Sequence, residues 1–555
     1  MNQIQLQQSE KERPLALLYG VYILRKTASE ISFKLGARDT NLFFKAVRVV
    51  LFLIVLTIAF FAPAQTVGKL DLAKLDKQIE QNRKDWNIPG MAVAIVKDGK
   101  VVFAKGYGVR EYGKPEKVDE NSLFAIASNS KAFTVAALSK LVSEGKISWT
   151  DPIRKYLPWF ELYDPWVSNK ITIADAVCHN SGLGTFSGDL LWYETKYTTR
   201  EVLERTKHLK PDFDFRAGYG YSNLMFSAAG EVIEVVTGKK WAEYVKENFL
   251  KPLGMRNTNT SVKELAANKD VAIPHAVQAD GSALPIPYLS WDNCPAAAAI
   301  NSSVADMSKW MIMQLNGGTA DGKTYIAKDQ LETARQIHNP QEVRRSMASK
   351  SSFHGYGFGW DIYDLRGTKI INHGGGSDGM ISKVTLVPGE NFGFVILTNS
   401  INWLPSALAN SILDDYFGLE TSDYSANYLQ YKSESEQKEA ANYQAAKLAL
   451  NPKAVATHPL EAFVGTYSGD LYGEVKVFLE NGHLVADFVP APNLIGDLTH
   501  WEYNTFEINL RHTPLLPRGK VNFVLDMDGK PDELKIDIPN PDFFFTELIL
   551  KKVKD

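Results

Sequence analysis

The tightest constraint on the fold is that two similar strand pairs lie far apart in the chain. Met91 to Gly108 reads MAVAIVKDGKVVFAKGYG, two apolar strand patterns turned by Asp98-Gly99. A second pair, ISKVTLVP and FGFVILTN, lies between Ile381 and Asn399 and turns through Pro388-Gly389-Glu390-Asn391. Helical patterns dominate the stretch from Asn121 to Gly254. Strands at both ends of a helical middle require one sheet assembled from sequence-distant pieces. The expectation is a single α/β domain of roughly 350 residues, entered by an amphipathic helix over Leu70 to Asp85 and closed by a helix near Ser406 to Tyr416.

That domain accounts for only part of the 555 residues. Upstream, Lys45 and Arg48 precede the uncharged run Val49 to Ala62, which ends in Ala62-Pro63-Ala64. A positive flank, a short apolar run and an A-x-A ending form a secretory leader pattern, although the stretch ahead of the run is long for one. Two outcomes follow: cleavage after Ala64, or retention of residues 49–62 as a membrane anchor. Either places the following domain outside the cytoplasm, in the periplasm or beyond. Downstream, residues 433–450 are charged and alanine-rich without an apolar stripe, which suits a helical spacer. Beyond them FVGTYSG, EVKVFLENGHLVADFV, TFEINL and VNFVLDMDGKPDELKIDI alternate apolar and polar residues around Asn481-Gly482 and Asp528-Gly529, the pattern of a small all-β barrel. Aromatic runs such as Phe543-Phe544-Phe545 read as barrel core or a substrate groove. The expected boundaries are 1–65 leader, 66–432 α/β domain, 433–455 linker and 456–555 barrel.

Composition closes off other classes. With 61 Lys and Arg against 64 Asp and Glu there is no basic excess to hold a nucleic acid. Two cysteines, Cys178 and Cys294, cannot make a disulfide framework or a Cys-rich metal site; they are read as buried free thiols, with one bridge between them in an oxidising compartment as the alternative.

Three motifs carry chemistry. Ser128-Asn129-Ser130-Lys131 opens the helix-forming AFTVAALSKLVSEGK. If Ser128 starts that helix, Lys131 lies one turn on, and its amine can reach the serine hydroxyl. A buried lysine with a lowered pKa can serve as the base. Taken alone, S-x-x-K is also an N-cap beside a surface lysine, and it recurs at Ser143 to Lys146 and Ser435 to Lys438, both read as solvated. Tyr221-Ser222-Asn223 follows Gly218-Tyr219-Gly220 and precedes the helix pattern LMFSAAGEVIEVVTG. The tyrosine hydroxyl, partly deprotonated near a lysine, can relay a proton, and the asparagine amide can hold a substrate amide. Its blander reading is a capped turn. Finally, a strand ends in His373-Gly374-Gly375-Gly376, where missing side chains admit a substrate backbone.

In this order, S-x-x-K (Ser128, Lys131), Y-x-N (Tyr221, Asn223) and H-x-G (His373, Gly375) resemble the serine beta-lactamase and penicillin-binding protein superfamily. Within it the chain is similar to the class C-type branch, over about residues 75 to 420. The resemblance implies an antiparallel sheet flanked by helices with a helical subdomain, and the C-terminal barrel resembles the lipocalin-like module of some of these hydrolases. It also implies that Ser128 is acylated, Lys131 is its base partner, Tyr221 shuttles the proton and Asn223 orients the substrate. His373 and Gly375 would line the pocket, and the N–H groups of Ser128 and Gly376 would hold the oxyanion. No metal or organic cofactor is implied; the partner is a small molecule or short peptide, and self-association is left open.

One departure bears on the substrate. Typical beta-lactamases carry a lysine where His373 stands, and a neutral histidine is a weaker anchor for a carboxylate. The expectation is therefore a D-amino-acid peptidase or esterase, with a true beta-lactamase or a non-catalytic binding protein as alternatives. A different fold competes as well: Gly375-Gly376-Ser377-Asp378-Gly379 fits the G-x-S-x-G of α/β-hydrolases. There the serine must lead from strand to helix, whereas Ser377 leads into another strand pattern. His208, His275 and His354 read as structural, and His179, in HNSGL, as fixing a loop.

Overall fold

The computed structural model describes residues 66–278, 280–343 and 349–553; the leader pattern lies outside them. Its centre is an eight-stranded antiparallel sheet built from both ends of the domain. In chain order its strands are β1 (Gly90–Lys97), β2 (Lys100–Gly108), β3 (Asn339–Gln341), β4 (His354–Tyr356), β5 (Asp361–Leu365), β6 (Thr368–Ser377), β7 (Met380–Val387) and β8 (Phe392–Thr398). The spatial order is β3-β4-β5-β6-β7-β8-β1-β2, so the N-terminal hairpin pairs with β8, placing Val395 opposite Ala94. Asp98 and Gly99 both have positive φ, the backbone that a tight hairpin turn demands.

Strand β1 shows why its sequence is apolar throughout. Met91, Val93 and Ile95 enter one core, and Ala92, Ala94 and Val96 the other, so neither face meets water. The first core is closed by α1 (Leu72–Asp85) and by the Leu404–Phe417 helix, which contribute Leu75, Ile79, Leu408 and Ile412. The helical middle covers the other face through α2 (Ser130–Ser143), α3 (Asn223–Thr237) and α4 (Val304–Leu315). Numbering on, the Leu404–Phe417 helix is α5. Asp71 caps α1 by accepting from Ala73 N and Lys74 N.

Helix α6 (Tyr424–Leu448) begins before the charged spacer and runs through it, with Ser425 its one buried residue. It leads to a closed barrel of eight strands, β9 (Gly465–Gly469) to β16 (Leu550–Lys552), in which the first pairs with the last through Tyr467↔Lys552. Asn481 and Gly482 turn one hairpin with φ of 51° and 82°. The barrel is filled by Phe463, Tyr467, Phe506 and Phe523. Its apolar interior is continuous with the core of the helical layer. Polar contacts from residues 187–205 add to that seam: Tyr197 Oη donates to Tyr472 O at 2.6 Å, and Arg205 Nη1 to Leu471 O at 3.2 Å. Both cysteines are free and buried.

Candidate active site

Ser128 sits in a single 3-10 turn, Ala127–Asn129, and α2 begins two residues later at Ser130. The serine therefore precedes the helix rather than starting it. The turn is held on two sides. Ile126 N donates to Ile300 O at 3.0 Å, while Ser382 Oγ of β7 donates to Ile126 O at 2.7 Å and accepts from Asn129 Nδ2 at 2.8 Å. Ala127 has a φ of 44°, a left-handed conformation that a side chain makes costly and that surrounding structure must enforce. Strand β6 passes so close that a Cβ on Gly375 would lie 2.2 Å from Ile126 O, which is why this position of the H-x-G motif must be glycine.

Lys131 lies one turn into the helix and is wholly buried. Its Nζ donates to Asn223 Oδ1 at 2.6 Å, Ser128 Oγ at 3.0 Å and Ala297 O at 3.2 Å. Burial lowers its pKa to about 7, against the opposing pull of groups that include Asp189. Near neutrality much of the amine is unprotonated, and a neutral amine 3.0 Å from a hydroxyl is a general base in place. The two other S-x-x-K matches lack this: Ser143 and Ser435 are exposed, and Lys146 pairs with Glu144.

Tyr221 and Asn223 arrive on the loop that caps α3. His179 fixes that loop by accepting from Ser222 N at its Nδ1, 3.0 Å away, and its carbonyl takes Gly220 N at 3.1 Å. Gly220 has no room for a side chain, since a Cβ would meet Leu183 O at 1.8 Å. The sequence expectation for Tyr221 needs correction. Burial pushes its hydroxyl well above the ordinary value, and Lys131 Nζ stands 4.7 Å from the ring centroid, over the ring face. A phenolate is disfavoured there, so Tyr221 stands as a neutral phenol beside Ser128. The Asn223 amide is bonded on both sides: its Oδ1 accepts from Lys131 and its Nδ2 donates to Asp189 Oδ2 at 2.7 Å. Asp189, which no motif marks, completes a buried chain from serine to lysine to asparagine to carboxylate; burial raises its pKa to about 7.

His373 is buried and held at both nitrogens. Nδ1 faces the carbonyl of Gly374 and must donate to it, which leaves Nε2 to accept from Tyr356 Oη at 2.8 Å. Burial, aided by nearby Lys131, lowers its pKa to about 3, so the ring stays neutral. It has no N–H left for a substrate carboxylate. Ser377 is the last residue of β6, and after the Asp378-Gly379 turn the chain enters β7, so no strand-to-helix elbow exists there. Its Oγ accepts the indole N–H of Trp291 at 3.1 Å.

These residues face one cavity of about 470 Å³, lined by Ser128, Tyr221, Asn223, His373, Gly374 and Gly376. Gly375 lies behind it against the Ser128 turn. Other walls include Asp189, Trp192 and Trp291, which no motif marked, Asp378 of the G-x-S-x-G match, and from the barrel Asp542 and Phe543, the latter in the aromatic run read as barrel core or a substrate groove. A model of the beta-lactamase family matches residues 75–416, more than half of the chain. The chain belongs to the beta-lactamase family. It is a serine hydrolase of that family, and residues 450–552 match a domain of unknown function, DUF3471.

Among curated relatives, the chain is 27% identical over 454 residues to unguisins hydrolase ungD of Aspergillus violaceofuscus, covering 76% of this chain and 78% of that one. It is 29% identical over 333 residues to protein flp of Staphylococcus aureus, covering 59% and 62%, a little under two thirds of that relative. In architecture it is similar to the octameric penicillin-binding protein homologue from Pyrococcus abyssi, with a TM-score of 0.56, 21% identity, and coverage of 87% of this chain and all of that one. This likeness concerns the fold.

Proposed function

We propose that this beta-lactamase-family protein is an exported hydrolase that cleaves peptide, amide or ester substrates through an acyl-enzyme on Ser128. The observation that carries the reading is the fully buried Lys131 amine, 3.0 Å from Ser128 Oγ with its pKa lowered to about 7. Neutral Lys131 takes the Ser128 proton as Oγ bonds to the substrate carbonyl carbon. The developing oxyanion is held by the N–H groups of Ser128 and Gly376, each donor contributing roughly 3 kcal/mol to transition-state stabilisation. Tyr221, a neutral phenol, gives its proton to the leaving amine or alcohol while the carbon–heteroatom bond breaks, and takes in exchange the proton that Lys131 removed from Ser128, so that lysine and phenol both end neutral. Water then adds to the acyl-serine, and the same groups return the proton to Ser128 as the acid leaves. Every step uses side chains and backbone of this chain.

A substrate without a carboxylate near the reacting centre fits better than a beta-lactam drug, because His373 is neutral and both its nitrogens are occupied. The relative named as an unguisins hydrolase supports a hydrolytic reaction. Export rests on the leader pattern before residue 65. The test is intact mass after exposure to a fluorophosphonate probe and, separately, to a penicillin. One fluorophosphonate adduct on the wild type, absent from Ser128→Ala and retained by Ser377→Ala, is the expected result. An adduct lost only with Ser377→Ala would sink the reading.

A further inference from the structure

One wall of the Ser128 cavity comes from outside the beta-lactamase-like domain. Asp542 and Phe543 belong to the barrel loop between Pro531–Asp537 and Leu550–Lys552, and both line the cavity. The loop is built to stay there. Glu547 accepts from Ser187 Oγ at 2.6 Å and Gly188 N at 2.9 Å, one residue before Asp189. Phe543 lies with its ring 4.0 Å from that of Tyr193 and 5.8 Å from that of Trp192. Within the loop, Asn540 Oδ1 accepts from Asp542 N at 2.8 Å and Phe543 N at 3.0 Å, fixing both residues' backbone.

The charge pattern of the lining is one-sided. It holds three carboxylates, Asp189, Asp378 and Asp542, and among the described residues that form it there is no lysine or arginine. Asp378 takes a hydrogen bond from Tyr193 Oη at 2.8 Å; burial, with the charges of Glu194 and Asp542 nearby, raises its pKa to about 6. Asp542 stands at the exposed end. Between these groups the walls are apolar, formed by Phe186, Leu289, Trp291, Ile381, Ile401 and Phe543. Deeper in, Asp189 lies beside the Trp192 indole and accepts from Asn223 Nδ2 at 2.7 Å. An apolar slot with the Asp542 carboxylate at its exposed end and Asp378 further in attracts a cation attached to an apolar group and repels an anion.

We propose that Asp542 and Phe543 of the barrel are specificity-determining residues of the Ser128 reaction, selecting a substrate that carries an apolar side chain beside a protonated amine. The proposal rests on the acyl-serine reading. Phe543 and the aromatic wall hold the apolar group, and Asp542 with Asp378 faces the ammonium. The barrel thereby becomes part of the active site, and the Glu547 contacts are what keep it in register.

The experiment follows the rate of Ser128 labelling by a fluorophosphonate probe on the full chain. Labelling is competed with phenylalanine amide of either hand, its N-acetyl derivative and its N-succinyl derivative, for the wild type, Asp542→Asn and Phe543→Ala. The readout is the ratio of protecting concentrations within each variant, so a general loss of reactivity cancels. The free amine is expected to protect the wild type at about tenfold lower concentration than the N-acetyl form, with the N-succinyl form weakest. Asp542→Asn should remove most of that preference, and Phe543→Ala should weaken the amine and acetyl forms together. Equal protection by amine and acetyl forms, no protection by any of the three, or a preference unchanged in Asp542→Asn would overturn the proposal. Absence of labelling in the uncompeted wild type would instead overturn the acyl-serine reading.

Discussion

Ser128 and Ser377 line the same cavity, yet their surroundings differ in kind. Ser128 Oγ has a wholly buried amine 3.0 Å away, in a turn held by Ser382 and pressed against Gly375. Ser377 Oγ takes a hydrogen bond from the neutral indole of Trp291 and ends an ordinary strand. An indole N–H can donate but cannot accept a proton, so it satisfies a hydroxyl without activating it. Nucleophilicity in this cavity is thus decided by which serine has a base whose own charge is destabilised by burial.

Removing the hydroxyl on the activated side should have the largest effect. Ser128→Ala is expected to lower kcat/KM by about 10⁴-fold or more and to abolish the fluorophosphonate adduct. Residual turnover comparable to wild type would break the contrast outright. Lys131→Met should follow, with a loss of about 10²- to 10⁴-fold, because it removes the base while leaving the nucleophile. The same lysine sets the pH dependence. Its pKa falls to about 7, so below that pH it is an ammonium that cannot take the serine proton. The wild-type kcat/KM should therefore rise with pH through about 7 and then level off. A flat profile from pH 5 to 8 would assign the base elsewhere.

How much of this was readable in advance follows from how local each feature is. The central sheet announced itself because β1 and β8 are apolar on both faces, a pattern that survives without any tertiary knowledge. Strands β3 and β4, three residues each, carry too little pattern to be read. Ser128 and Lys131 were legible since one helical turn alone brings them together. Tyr221 and Asn223 were legible as residues but not in their bonding. The Asn223 amide meets Lys131 and Asp189 only once α2, α3 and the 187–193 segment pack, and Asp189 sits in a turn with no periodic signature. His373 could be seen to lack a lysine's charge, but its lock on Tyr356 reaches across β5 from β6 to β4 and so depends on the assembled sheet. The Phe543 run divides in the fold: Phe545 packs against Phe488 inside the barrel, whereas Phe543 lies tilted against Tyr193 across the seam. Alternation along a strand pattern cannot distinguish those two destinations, because the loop that carries them is not a strand.

Asp189→Asn sharpens the comparison by altering the charge behind the lysine while keeping its hydrogen bonds. The substituted amide can still accept from Asn223 Nδ2, so the chain of contacts to Lys131 persists in shape. The carboxylate favours the charged lysine, opposing the effect of burial. Taking that charge away should lower the Lys131 pKa further. The rising limb of the kcat/KM profile should then move to lower pH, with less than about a tenfold change on the plateau. A limb that moves to higher pH, or does not move at all, would mean that Asp189 does not act on Lys131 through its charge.

The smallest effect is expected on the unactivated side. Ser377→Ala removes an acceptor from Trp291 and leaves its indole N–H beside the cavity, a loss of about 1 kcal/mol for a neutral hydrogen bond. That corresponds to less than about tenfold in kcat/KM, with the adduct on Ser128 retained in intact mass. The two alanine variants separate the alternatives because both serines line the same cavity. If the hydroxyl mattered only through contact, the losses would be similar in size. If it matters through its base, they should differ by about three orders of magnitude or more. Measuring both variants on one substrate at pH 8, where Lys131 is largely neutral, removes lysine protonation as a source of the difference.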